Sequence, residues 1–327
     1  MRLAVVGLGA AGTHAARQLA SSHPEQLALF DVDERRVLAA LEHHELGIAI
    51  LGDIGGGGAD VVILATPAGT HAELARAIVR DGRHVVSITD HPGDVAGLLE
   101  LGHEAEANDC TVLVGAGFAP GLSCLLARRA ADRLDVVEFV SVAKSGTGGP
   151  ACAREHHRAM KHPGHELQHG DWVVRAGGSG RELVWFPDPI GARDCYRADL
   201  PSPLLLQRVF PQATRLTARV SATRRDRLTS RLPMLRPPHA DGGPGAIRVE
   251  VRGRCGSRVE TLVYGVADHP SLAAGTVAAV SAIDLLGPDV RPVGAYGLAE
   301  HPGRLELLRT LRHRGVRVET YEGSGLV

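Results

Sequence analysis

The chain has 327 residues, a formal net charge of -1 and 44% hydrophobic content. That length exceeds one ordinary core and suits about two domains. The neutral balance argues against nucleic acid or an anionic membrane surface as the main partner. No apolar run approaches the roughly 18 residues of a membrane helix. The cysteines, Cys110, Cys124, Cys152, Cys195 and Cys255, form neither a C-x-x-C pair nor a metal-ligand cluster. With a strand expected from Leu3, no room is left for a leader, and a reduced, cytoplasmic protein without a metal is the expectation.

Leu3-Ala4-Val5-Val6 reads as a strand, followed by Gly7-Leu8-Gly9-Ala10-Ala11-Gly12 and a helical pattern through Leu19. A second apolar run, Leu27-Ala28-Leu29-Phe30, ends at Asp31. Glycines alone would mark only a turn; the order strand, turn, helix, strand, acid gives each part a task. Gly7 permits the tight turn, Gly9 lets the backbone approach a pyrophosphate, and Gly12 lets the helix pack on the strand. The helix start at Ala10 and Ala11 offers free N–H groups to phosphates. Asp31, about 20 residues past the turn, suits the adenosine ribose and favours NAD over NADP. Arg35 and Arg36 read as a solvated first turn of the next helix, within reach of Asp31.

Glu34 to Leu46 reads as a helix, and Ala59 to Ala65 as a strand buried on both faces. Thr66-Pro67-Ala68-Gly69-Thr70-His71 is a turn, Glu73 to Arg80 a helix, and His84 to Ile88 a strand. A helix over Val95 to Asn108 and a strand over Thr111 to Gly115 complete an alternation that implies a doubly wound parallel sheet. Beyond residue 119 the pattern changes. A helix reaches Arg133, and strand-like runs follow at 136–143, 183–186, 214–222, 247–253 and 260–266. Few helices separate them, so a mostly antiparallel second sheet is expected. Pro233 to Gly245 is a loop, Ser271 to Leu286 a buried helix, and Leu305 to Arg314 the last helix. The fold class is thus α/β: a Rossmann domain over 1–119, an α+β substrate and dimerisation domain over 120–294, and a C-terminal segment, 295–327, returning to the first.

Three motifs, Gly7 to Gly12, Ala65-Thr66-Pro67 through His71, and Gly115-Ala116-Gly117-Phe118-Ala119-Pro120-Gly121-Leu122, together resemble the saccharopine dehydrogenase-like enzymes. Trp185-Phe186-Pro187-Asp188-Pro189-Ile190-Gly191 and Leu307 to Val316 extend the resemblance over nearly the whole chain. It implies reductive joining, or oxidative splitting, of an amine and a carbonyl compound through an imine, with NAD or NADP, on a small amine or amino-acid substrate. A homodimer formed through the second-domain sheet is implied as well. The alternatives are an aminoalkyl transferase of the homospermidine type, which recycles its bound NAD, and a dinucleotide-binding protein without catalysis. A sugar or polyol dehydrogenase fits less well, because Thr89-Asp90-His91-Pro92 stands where those enzymes carry a Lys-Pro pair.

Thr66 and Pro67 follow a strand at its carboxyl end, where open α/β sheets bind ligands, and suit the nicotinamide side. His71 is either a cofactor contact or a helix-start residue. Gly117 and Phe118 are expected beside the nicotinamide. Asp90, also at the carboxyl edge, is either a substrate or ribose contact or a helix cap. The two lysines of the chain, Lys144 and Lys161, fall in one segment with Ser145-Gly146-Thr147, His156 and His157. Lys144, His157, Lys161 and Asp90 are the catalytic candidates. Ser145, Gly146, Thr147, His156 and Arg193 are the candidates for holding substrate, the turn through backbone N–H groups and Arg193 through its fork. The histidines could instead be a solvated loop, and their spacing fits no common zinc pattern.

Overall fold

The computed structural model describes residues 2–22, 27–44, 58–234, 238–287 and 292–321. Its elements, in chain order, are β1 (Leu3–Val6), α1 (Ala10–Ala20), β2 (Leu27–Phe30), α2 (Glu34–His44), β3 (Val61–Leu64), α3 (His71–Arg80), β4 (His84–Ser87), α4 (Pro92–Leu99), α5 (Gly102–Ala107) and β5 (Thr111–Val114). Then come α6 (Leu122–Ala131), β6 (Val136–Ser145), α7 (Pro150–Lys161), β7 (Gly164–Gln168), β8 (Asp171–Arg175), β9 (Glu182–Trp185), β10 (Ala192–Arg197), α8 (Ser202–Val209), β11 (Arg215–Ser221) and α9 (Arg224–Thr229). The chain ends with β12 (Gly245–Cys255), β13 (Arg258–Asp268), α10 (Pro270–Asp284), β14 (Gly294–Gly297), α11 (Arg304–His313) and β15 (Glu319–Tyr321). Among the described residues no helix is long and apolar enough to cross a membrane.

Two compact units emerge: Met1–Gly121 with Ser271–Arg314, and Leu122–Pro270 with Gly315–Val327. The first holds a six-stranded sheet in the order β14-β5-β4-β3-β1-β2, parallel throughout. Its strands are short, and β1, β2, β3 and β5 are buried at every position. That is why they read as continuous apolar runs rather than alternating ones. The strand order reverses between β1 and β3, which opens a crevice at their carboxyl ends.

The expected boundaries, 119/120 and 294/295, differ from this division. The chain returns to the first unit at Ser271, because α10 packs there on α1. A Cβ on Gly275 would lie 2.7 Å from the Ala11 carbonyl oxygen, and Thr276 meets His14 at 3.3 Å. Helix α10 is rich in small residues on every side, so its pattern did not disclose which unit it joins. The helix expected over Val95 to Asn108 is two, α4 and α5, interrupted before Gly102. Glu45 and Leu46 of the expected second helix lie outside the described residues.

The second unit is a nine-stranded sheet, β15-β13-β12-β6-β11-β10-β9, with β7 joined to β11 and β8 to β7. Among the described residues β6 and β11 run parallel and the other pairings of this sheet are antiparallel. Helix α6 packs on β6, β12 and β13, and α8 on β7 and β11. Alternate residues such as Val140, Val142, Val249, Val251, Leu216 and Val220 are buried. The parallel pair places the carboxyl ends of β6 and β11 side by side, with α7 and α9 leaving from them.

Candidate cofactor and substrate sites

The three fingerprint glycines are held for different reasons. Gly7 has φ +91°, and a Cβ on it would lie 2.5 Å from the Ala65 carbonyl oxygen. A Cβ on Gly12 would overlap the Gly7 carbonyl. Both glycines are therefore demanded by the protein's own packing. Gly9 is different: its backbone is ordinary, φ -72°, and a Cβ there would meet nothing within 4 Å. It caps α1 without a side-chain acceptor, so the N–H groups of the first turn carry no side-chain cap beside that open space. That space fits the phosphates of a dinucleotide.

Asp31 anchors this loop. One carboxylate oxygen accepts the Leu8 N–H at 2.7 Å and the other the Asp33 N–H at 2.8 Å. Arg35 is engaged with Asp33, whose carboxyl it holds below the ordinary range. Arg36 does reach back: its guanidinium lies 3.7 Å from Asp31 and 3.9 Å from Asp33. A half-exposed cation thus stands beside Asp31, not solely in a solvated turn.

Three loops meet at the carboxyl edge of the sheet, after β3, β4 and β5. The Thr70 hydroxyl binds Thr66 Oγ1 at 2.8 Å and the Pro67 carbonyl at 2.7 Å. His71 is buried, 1% exposed, with one ring nitrogen 2.9 Å from Ser87 Oγ and the other 2.9 Å from the Thr66 carbonyl. Burial lowers its pKa despite the opposing carbonyl, so the ring is neutral. One ring edge braces Thr66 and the other Ser87, at the start of α3. Asp94, which the sequence reading missed, is 4% exposed and accepts from the Gly69 N–H at 2.7 Å and the Thr89 hydroxyl at 3.2 Å. An acid at the third position of a helix beginning with Pro92 was the available signal. Asp90 is not the cap of α4; His91 is, accepting the Asp94 N–H on Nδ1 at 3.2 Å. Gly117 closes on β4, since a Cβ there would lie 3.1 Å from the Ile88 carbonyl, and Phe118 beside it is buried.

In the second unit, Lys144 is buried on β6, in register with Val220 of β11 and Ile247 of β12. The Ser221 hydroxyl donates to Ser145 Oγ at 2.8 Å. A ring nitrogen of His156 lies 3.1 Å from the Ser221 carbonyl. Gly146 has φ +82° and abuts Gly245, while the Thr147 carbonyl accepts the Gly243 N–H at 3.2 Å. Lys144, Ser145, Gly146, Thr147 and His156 therefore gather at one end of the parallel pair, together with Ser221.

Residues 1–116 match the family model described as the Gfo/Idh/MocA oxidoreductase family, NAD-binding Rossmann fold. Over its whole length the chain superposes on apo saccharopine dehydrogenase (L-Glu forming) from Saccharomyces cerevisiae. The TM-score is 0.73 at 14% identity, covering 98% of this chain and 100% of that one. The chain has the saccharopine dehydrogenase fold. An engineered D-amino acid dehydrogenase is similar to a lesser degree, with TM-score 0.52 and 16% identity over 93% of this chain and 96% of the other.

On this saccharopine dehydrogenase fold, three expected site residues fall away from the Lys144 cluster. His157 is tied to the Leu232 carbonyl at 2.8 Å. Lys161 is exposed at the end of α7, because the one-face spacing with His157 runs along the outside of the helix. Arg193 is exposed on β10 and turned onto the Ala192 carbonyl. The sequence reading also missed Glu166 of β7, 2% exposed, which pairs with buried Arg219 of β11 and with Arg197. Burial raises the Glu166 pKa, but the two guanidiniums outweigh it and hold the carboxyl below its ordinary range. Cys195 is buried and its thiol is pushed up to about 12, chiefly by burial, which keeps it unreactive.

Proposed function

We propose that the chain is a nicotinamide-dependent oxidoreductase that reduces an imine formed from an amine or amino acid and a carbonyl compound, or oxidises the corresponding secondary amine. The observation that carries the cofactor is Gly9, a fingerprint glycine that the protein's own packing does not require. What supports the CH–NH chemistry is the saccharopine dehydrogenase fold, which covers 98% of the chain.

Ala10 and Ala11, at the start of α1, hold the pyrophosphate with Gly9. Asp31 fixes the loop and takes the ribose hydroxyls on its remaining lone pairs. Arg36 beside it admits a 2′-phosphate, so NADPH competes with NADH at this site. Thr66, Pro67, Gly117 and Phe118 line the nicotinamide half. Bound there, the cofactor supplies or accepts the hydride. The Lys144 ammonium, with the hydroxyls of Ser145 and Ser221 at the end of the β6–β11 pair, is the second unit's group for a substrate carboxylate. Asp90 orients the substrate amine. A homodimer formed through the second unit's sheet belongs to this reading.

The test follows nicotinamide absorbance while amines and 2-oxo acids are supplied in pairs with NADH or NADPH. Consumption of reduced cofactor that needs both partners is expected. Consumption with an oxo acid or sugar alone would contradict the imine chemistry.

A further inference from the structure

The buried polar network at the carboxyl edge of the first sheet has one donor it does not use. His91 has an extended backbone, φ -88° and ψ 123°, and its Nδ1 accepts the Asp94 N–H at 3.2 Å. An acceptor on Nδ1 puts the ring proton on Nε2. Asp94, in turn, is fixed by Gly69 and Thr89, and the Thr89 hydroxyl accepts the His91 N–H at 3.2 Å. The ring is thus locked in tautomer and held at its base. Its side chain is 25% exposed, and Nε2 makes no hydrogen bond among the described residues.

We infer that His91 is a pre-set hydrogen-bond donor for the cofactor, its Nε2–H meeting the carboxamide oxygen of the nicotinamide. The position agrees: His91 follows β4, on the β3–β4 side of the switch point, whereas Asp31 follows β2 on the other. The two mononucleotide halves of a dinucleotide spread across that crevice in opposite directions. The role is that of a neutral imidazole donor, as distinct from a proton source. Losing Nε2–H from the neutral ring would leave an imidazolate, and protonating Nδ1 would break the bond that caps α4. This inference rests on the cofactor reading given above.

Nitrogen NMR on protein with isotope-labelled histidine tests it, with His91 assigned by its loss in His91→Asn. Asparagine keeps a cap acceptor at this position. The expected result is an Nε2–H tautomer in the ligand-free protein and an Nε2 resonance that moves with NADH. ADP-ribose, which lacks the nicotinamide, leaves it in place. His91→Asn weakens NADH binding by about five- to tenfold and leaves ADP-ribose binding unchanged. An Nδ1–H tautomer, or bound NADH that moves nothing at Nε2, would overturn the inference alone. If neither NADH nor ADP-ribose binds wild-type protein, the cofactor reading falls, and this contact with it.

Discussion

Each glycine of the fingerprint answers to a different constraint, and substitution separates them. Gly7→Ala forces an L side chain into φ +91° against the Ala65 carbonyl, and Gly12→Ala collides with the Gly7 carbonyl. Each is expected to cost more than about 2 kcal/mol of stability, read by denaturant titration. Gly9→Ala meets open space and an ordinary φ, so its unfolding midpoint should match wild type within error. The packing tasks of Gly7 and Gly12 were legible in the sequence because a tight turn and close helix packing each need a missing Cβ at a set offset. The tasks of His71 and Asp31 were less legible. A histidine at a helix start shows its ring chemistry but not its depth, and depth made His71 a brace. Asp31 was read for the ribose, yet its nearest partners are the backbone N–H groups of Leu8 and Asp33.

The elements most easily read were those with one dominant period. The fully buried strands β1, β2, β3 and β5 announced themselves as apolar runs, and α3 and α11 as amphipathic helices. The hairpin β7–β8 was hidden, because Gly164–Gln168 reads as polar although Glu166 and Leu167 are buried, and Asp171–Arg175 pairs at an exposed sheet margin without a buried face. Strand β14 was hidden because Gly-Ala-Tyr-Gly carries no pattern, although its pairing with β5 completes the parallel sheet. Helix α9 had a signal, the capping box of Thr223 and Asp226, in an arginine-rich stretch without apolar periodicity. The join of β7 to β11 offers a test at this scale. Removing the Glu166 charge leaves buried Arg219 with only the half-exposed Glu182 carboxylate at 3.5 Å, so Glu166→Gln should destabilise the protein by about 3 kcal/mol. Replacing both residues with apolar ones of similar volume should recover much of that loss, as a double-mutant cycle would show.

Across the whole molecule, several buried groups make stability depend on acid in one direction. His71 and His301 have pKa values lowered, chiefly by burial, from 6.5. Their unfolded forms bind protons first, so stability is full above about 6.5 and falls as pH drops below it. Glu166 has its pKa lowered from 4.5, so its contribution is present above that value and is lost as pH falls further. Calorimetry should show Tm dropping steadily from pH 7 to pH 4, and His71→Gln should flatten the upper part of that slope. A Tm that rises toward acid would contradict this assignment. At this scale the sequence disclosed two sheets of different kinds and their order, but not that the chain recrosses at Ser271, since an all-small helix names no partner.

On the proposed function, Gly9 keeps the loop before α1 open for a dinucleotide. A fluorescence titration with NADH and with NADPH, on wild type and Gly9→Ala side by side, tests it most directly. Saturable binding by wild type, at least tenfold weaker in an equally stable Gly9→Ala protein, is the predicted result. Equal binding by the two proteins, or none by wild type, would contradict it.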